Sequence, residues 1–312
     1  MAAKNWSTVS ANSGVEELLF HNDTVSLCLL VNRRHKTLRV IDFRAGATPA
    51  KRNFVLAAAK REGVEKVFTL VERDEVSTWT RLGFTREGSI NAFYKRSDAW
   101  ILGAVVAQVG PLRANARLDE DDDDDENDGD DAEPSSPASA LAERTIARAR
   151  RKLKDDETAI PAVKIAPVRD ADLRKAVTAA ARSGRALTGF ETFGRDVERG
   201  AFVVTGRGGF ELHASWESQA CFGNSFLEIL KGPSDAAEIP WTTAAVRALC
   251  DRLAQNGIVS TFCLSPADDA ALAHVYLASG FRRSGVLAKH VMVKGERKDA
   301  IVWSRKLATS DA

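Results

Sequence analysis

A chain of 312 residues with 44% apolar and 28% charged positions has room for two ordinary domains and the composition of a globular protein. Its longest apolar stretches, residues 25–31 and 101–109, are too short to cross a bilayer, and the N-terminus lacks the basic-then-apolar order of a signal peptide, so a cytoplasmic protein without membrane association is expected. The formal charge of +1 hides a segregation: 12 of the 43 acidic residues lie in positions 119–133, and the rest of the chain carries 44 basic against 31 acidic residues, a balance that suits anionic ligands such as phosphorylated cofactors or nucleic acid.

In chain order, residues 24–32 alternate as a strand, 32–36 form a polar turn and 37–43 a second strand. Thr48 as N-cap with Pro49 at the first helical position starts a helix that Gly63 stops. A strand over 67–71, a helix over 74–82 and hairpin strands over 84–93 and 99–106 complete the first domain, residues 1–110. The acidic run, followed by Gly129, Pro134 and Pro137, cannot bury enough apolar surface to offset its ordering entropy and reads as a disordered linker. It has neither fixed geometry nor EF-hand spacing, so no metal is expected there. Residues 141–154 have helix-forming composition and carry six Arg and Lys, the pattern of a solvated helix or of a basic contact surface. Linker and helix together span 111–158.

The second domain, 159–312, opens with a strand over 163–168 and a helix with the acidic start Asp170 and Asp172. Strands follow over 201–205, 210–216 and 226–230. A helix over 241–255 then places Val246, Leu249, Cys250 and Leu253 on one face, and Gly257 ends it. A strand over 258–264, a helix over 268–278 and a final hairpin close the chain. Cys28, Cys221, Cys250 and Cys263 sit in apolar runs without paired spacing, so buried thiols are expected and neither a disulfide nor a zinc site.

The two domains end alike. Gly63, Gly83-Phe84 and Asp98-Ala99 recur as Gly257, Gly280-Phe281 and Asp299-Ala300, with spacings of 20 and 15 residues in the first copy and 23 and 19 in the second. Strand, long helix, strand, short helix, Gly-Phe and a terminal antiparallel pair resembles the GCN5-related N-acetyltransferase fold. Tyr276 to Phe281 and residues 163–170 carry the likeness in the second copy. Residues 83–88 with Asp98-Ala99 resemble the ending of the β-lysine acetyltransferase branch in the first. The resemblance implies an α/β (α+β) protein of two acetyltransferase-like domains in tandem, each a mixed, mostly antiparallel twisted sheet flanked by helices, the first lacking the opening strand and helix.

It also implies acetyl-CoA as cofactor, its pyrophosphate held on backbone N–H groups at the start of the long helix. In the first copy the matching stretch supplies Arg44, Gly46, Lys51 and Arg52, with Pro49 removing one donor. In the second it supplies Lys231 and Gly232, opposed by Pro233, Asp235 and Glu238. By the same resemblance Tyr276 is the general acid that protonates the leaving thiolate, a role Trp79 cannot fill in the first copy, and Glu228 is a base that deprotonates the acceptor ammonium; as a residue, Tyr276 reads equally as a tyrosine that packs its helix on the core. Glu211, Glu217, His213 and His274 are further polar groups on predicted elements, each also readable as an ordinary strand or helix residue. The implied activity is transfer of an acyl group to an amine of a small molecule or a protein. The other reading is a catalytically silent tandem module that acts as scaffold or regulator. A nucleic-acid role rests on the basic helix alone.

Overall fold

The computed structural model describes residues 14–21, 26–42, 48–94, 97–110, 137–154, 159–219 and 223–307. The acidic run, Arg44, Gly46 and Cys221 lie outside them.

The first half runs β1 (Val15–His21), β2 (Ser26–Asn32), β3 (Thr37–Asp42), α1 (Pro49–Arg61), β4 (Lys66–Val71), α2 (Val76–Arg81), β5 (Thr85–Tyr94) and β6 (Ser97–Val105). After α3 (Pro137–Lys154), the second half runs β7 (Lys164–Pro167), α4 (Asp170–Arg182), β8 (Glu198–Thr205), β9 (Glu211–Ser218), β10 (Asn224–Ile229), α5 (Glu238–Gln255), β11 (Ser260–Pro266), α6 (Ala270–Ala278), β12 (Arg282–Val293) and β13 (Glu296–Lys306).

The thirteen described strands form one sheet in the order β1-β2-β3-β4-β6-β5-β12-β13-β11-β10-β9-β8-β7. Outward from the β5/β12 seam both halves read the same way, and β7 with α4 is the extra opening of the second. The acetyltransferase resemblance implies two sheets, one to each domain, whereas the strands are continuous across the seam. The seam answers a physical need, because each terminal hairpin leaves an unpaired strand edge that a neighbour must cover.

Among these strands only β3/β4 and β10/β11 pair in parallel, since α1 and α5 carry the chain back over the sheet between them. The β10/β11 ladder runs from Asn224 opposite Ser260 to Phe226 opposite Phe262 and stops. Beyond it Leu227 to Ile229 stay paired to β9 and Leu264 to Pro266 to β13, so the two strands diverge into a wedge.

Local chemistry sets the helix ends. The Thr48 hydroxyl accepts the Lys51 N–H at 3.2 Å, and the Asp269 carboxylate accepts that of Leu272 at 2.9 Å. The repeated Gly-Phe pair is a C-cap: Gly83 and Gly280 take φ of 85° and 81°, and the Phe84 and Phe281 N–H groups return to the carbonyls of Trp79 and Tyr276. Their rings then rest on those aromatics, at 4.8 Å for Trp79 with Phe84 and 5.4 Å for Tyr276 with Phe281.

Each half packs its helices on one sheet face, around Val40, Val55, Trp79 and Phe84 in the first and Leu227, Leu249, Tyr276 and Trp303 in the second. The opposite faces meet in a third core that includes Phe68 and Ile101 from the first half with Phe226, Phe262 and Val302 from the second. The basic segment is no free helix: α3 buries Ala142, Ile146 and Ala149 beside α6, a stripe at i, i+4 and i+7 that its many charges conceal in the sequence. Edge strand β1 is an addition to the sequence-based elements, because its residues alternate only weakly and its side chains are largely exposed.

Candidate active site

Where β10 and β11 part, a cavity of about 80 Å³ lies against the first half. Its walls include Glu228 and Ile229 of β10, Leu264 to Pro266 of β11, Leu187, Thr188 and Glu191 to Phe193 in the α4–β8 connection, Thr37 and Arg39 of β3, and His290 in β12. Both halves therefore build one chamber.

Glu228 points into it. The Ser215 hydroxyl donates to its carboxylate at 3.3 Å, and burial, with the carboxylates of Glu191 and Glu217 adding to it, pushes its pKa up to about 8. Glu217 is spoken for: it accepts the Phe193 N–H at 2.9 Å and the Gly194 N–H, and lies 3.5 Å from Arg199. These bonds shape the loop rather than offer a base. Glu191 accepts the Gly189 N–H at 2.9 Å and lies 3.8 Å from Arg34. His35 takes the Met292 N–H on Nδ1 and is held near a pKa of about 4, chiefly by burial, while His290 is also kept neutral.

Outside this chamber opens a cleft of about 670 Å³, bounded by Gly232 to Ser234 before α5, Asp269 to Ala271 at the start of α6, and the cations Arg148, Lys152, Arg185, Lys294 and Lys298. Leu187, Pro266 and Val293 line both spaces, so three side chains form the partition between a basic outer cleft and an inner chamber that holds a high-pKa carboxyl. No sequence signal marks Arg148 and Lys152 for this place, because it follows from the buried stripe of α3.

At the helix start itself, carboxylates take the donors. Asp235 accepts the N–H groups of Ala237 and Glu238 at 2.9 and 3.1 Å, and Glu238 accepts that of Ser234 at 2.7 Å. The Gly232 carbonyl accepts from Arg185 at 2.9 Å. Lys231 adjoins the cleft in sequence without lining it.

Three of the expected site residues are buried. Lys51 is turned inward, 1% exposed, with its ammonium 2.6 Å from Asp42, and Arg52 spans to the carbonyls of Leu82 and Gly110. Buried cations with internal acceptors are structural, since a pyrophosphate could reach them only by breaking those bonds. Tyr276 is 1% exposed, beside the Cys263 thiol and packed on Trp303 at 5.8 Å, and it lines neither cleft nor chamber. Its position four residues before Gly280 serves the capping contact, which accounts for the spacing. Of the remaining candidates, His213 and His274 are buried, and Glu211 is exposed. Cys28, Cys250 and Cys263 are buried free thiols, and no metal-binding group occurs among the described residues.

No family model matches this chain, and no curated protein does. Solved structures similar to it include the ribosomal-protein-S18-alanine N-acetyltransferase of Escherichia coli, 20% identical, over 48% of this chain and 99% of that one, with a TM-score of 0.36. Another is the spermidine N-acetyltransferase of Vibrio cholerae in complex with CoA and spermine, 13% identical over 46% and 95%, TM-score 0.38. A third is yncA of Salmonella typhimurium with its cofactor acetyl-CoA, 13% identical over 48% and 97%, TM-score 0.37. Each spans just under half of this chain. No helix among the described residues is long and apolar enough to cross a membrane.

Proposed function

We propose that this chain is an acyl-CoA-dependent N-acyltransferase whose working site lies in the second half, with acetyl-CoA as donor and an amine as acceptor. The observation that carries this reading is the pair of adjoining spaces sharing Leu187, Pro266 and Val293. A nucleotide phosphate end suits the cationic cleft, and a thioester passed across the partition would meet Glu228 in the chamber. The diverging edges of β10 and β11 flank that path and offer backbone groups to an extended arm.

In the reaction Glu228 takes a proton from the acceptor ammonium. The freed nitrogen attacks the thioester carbonyl, the C–S bond breaks, and the thiolate leaves toward the cleft, where it takes up, through solvent, the surplus proton that the nitrogen loses on becoming an amide. A carboxyl poised near pH 8 suits an ammonium acid better than an ordinary glutamate would. The first half contributes a wall of the chamber rather than a second cofactor site.

One observation favours the silent-module reading: Asp235 and Glu238 place negative charge where a pyrophosphate would otherwise accept the helix N–H groups. A thermal-shift titration with acetyl-CoA and CoA, followed by thiol release with an amine panel, separates the two. Acetyl-CoA should raise the melting temperature and amines should draw out free CoA. No shift at millimolar acetyl-CoA would favour the scaffold.

A further inference from the structure

Two side chains of unlike chemistry, a guanidinium and a carboxyl, stand in the chamber without an ion-pair partner among the described residues. Arg39 is 8% exposed, its Nη1 donates to the Phe193 carbonyl at 2.6 Å, and its guanidinium lies 4.4 Å over the Phe193 ring. Its Nε has no hydrogen-bond partner, and among the described residues no carboxylate stands within ion-pair distance of it. Glu217, whose field Arg39 feels, is committed to Phe193, Gly194 and Arg199. Nearby, the Nδ1 of His290, 5% exposed, is also without a partner, its ring edge-on to Phe68 at 4.8 Å. Of the carboxyls in the wall, Glu191 accepts from the Gly189 N–H and the Thr188 hydroxyl and lies 3.8 Å from Arg34, which leaves Glu228, held by the neutral hydroxyl of Ser215 rather than by a cation.

A buried guanidinium lacking an anion is costly, and a carboxyl lacking a cation is held in its neutral form until an ammonium arrives to pair with it. Separately, each could be neutralised by a singly charged ligand. Together in one space, they are complemented at once by a molecule carrying an ammonium and a carboxylate. Size narrows the choice, because a chamber of about 80 Å³ takes a small molecule and not a long polyamine or a peptide.

We infer that the acceptor is a small free amino acid, bound between the two halves with its carboxylate on Arg39 and its amine at Glu228. The inference rests on the acyltransferase reading for the fate of the amine and goes beyond it in naming the substrate class. It also gives the first half a function, because Arg39 belongs to β3. Arg39 is then a specificity-determining residue, a fixed fork that selects carboxylate.

The test is calorimetric titration of the full chain with glycine, alanine and serine, and with ethylamine and propionate as analogues of alanine that lack one charge each. At least one amino acid should bind, and each single-charge analogue at least tenfold more weakly than alanine. Arg39→Gln should weaken alanine at least tenfold and leave ethylamine unchanged. Equal binding of alanine and ethylamine to the wild type overturns the inference, whether or not the variant folds, and so does unchanged alanine affinity in a folded Arg39→Gln. CoA binding without any amino-acid binding also overturns it and leaves the donor reading standing. The reverse result supports the amino-acid site and removes the acyl donor.

Discussion

Gly88 and Gly285 lie opposite one another at the seam of the sheet, each five residues beyond the helix-ending glycine of its own half. A Cβ on Gly88 would come within 2.6 Å of the Gly285 Cα, and one on Gly285 within 2.5 Å of the Glu87 carbonyl oxygen. The halves can close on each other because both positions lack a side chain. Beside them, Glu87 is held by a buried ion pair with Lys66 of its own half and reaches across the seam by accepting the Ala288 N–H at 3.2 Å.

The seam should therefore be sensitive to the smallest addition. Gly285→Val puts three carbons against backbone that cannot move aside, and overpacking of this kind costs about 1–3 kcal/mol. Urea unfolding should show the loss, with the two halves melting in separate steps if the seam opens first. A single transition at the wild-type midpoint would mean that the seam carries no strain.

Most of this architecture is legible in the sequence because its signals are local. Thr48-Pro49, the Gly-Phe caps and the apolar face of α5 each declare themselves within one turn of chain. The Asp-Ala repeat has a local cause as well: Asp98 accepts the Ala92 N–H at 2.7 Å and Asp299 that of Lys289 at 2.8 Å, pinning matched bulges where those residues take φ of 51° and 50°. The chamber is less legible, since Arg39 and Glu228 are 189 positions apart and meet only through the seam. Glu228 is readable by its place before the helix. Lys51 and Arg52 mislead because a cation near a helix start looks the same in sequence whether it faces solvent or Asp42.

Tyr276→Phe should be nearly silent in turnover. The substitution removes one hydroxyl from a buried side chain beside the Cys263 thiol, a change of at most about 1 kcal/mol in the urea-derived stability. A true acid at the leaving thiolate would instead cost about 10²-fold in kcat. A loss of that size with the fold intact would return Tyr276 to the chemistry.

Glu228→Gln should lower kcat by about 10²–10⁴-fold while leaving CoA affinity near wild type. The wild-type rate should rise with pH through about 8, where the carboxyl ionises. Stability carries the opposite sign. A pKa raised from 4.5 in the unfolded chain to about 8 means that the folded state retains the proton. Its contribution is complete below pH 4.5 and is lost as pH rises through 8, at up to roughly 1.4 kcal/mol per pH unit. The amide of the Glu228→Gln variant keeps the neutral shape at every pH, so the stability gap between variant and wild type should widen across that window. A constant gap would show that Glu228 titrates normally.

The cleft offers a two-sided measurement of whether phosphate binds there. Arg148 and Lys152 contribute positive charge from α3, whereas Asp235 and Glu238 oppose an anion at the start of α5. Asp235→Asn with Glu238→Gln retains oxygen acceptors for the helix N–H groups and deletes two charges. At about 0.3–1 kcal/mol for each charge near a helix N-terminus, CoA affinity should rise roughly three- to thirtyfold. Arg148→Glu with Lys152→Glu should lower it by at least as much, and both effects should shrink in high salt because these groups reach solvent. Neither pair lies in a core, so folding is preserved in both variants and the comparison reads electrostatics alone. If CoA affinity is indifferent to both pairs, its phosphates sit elsewhere, and the outer cleft is not the donor end of the site.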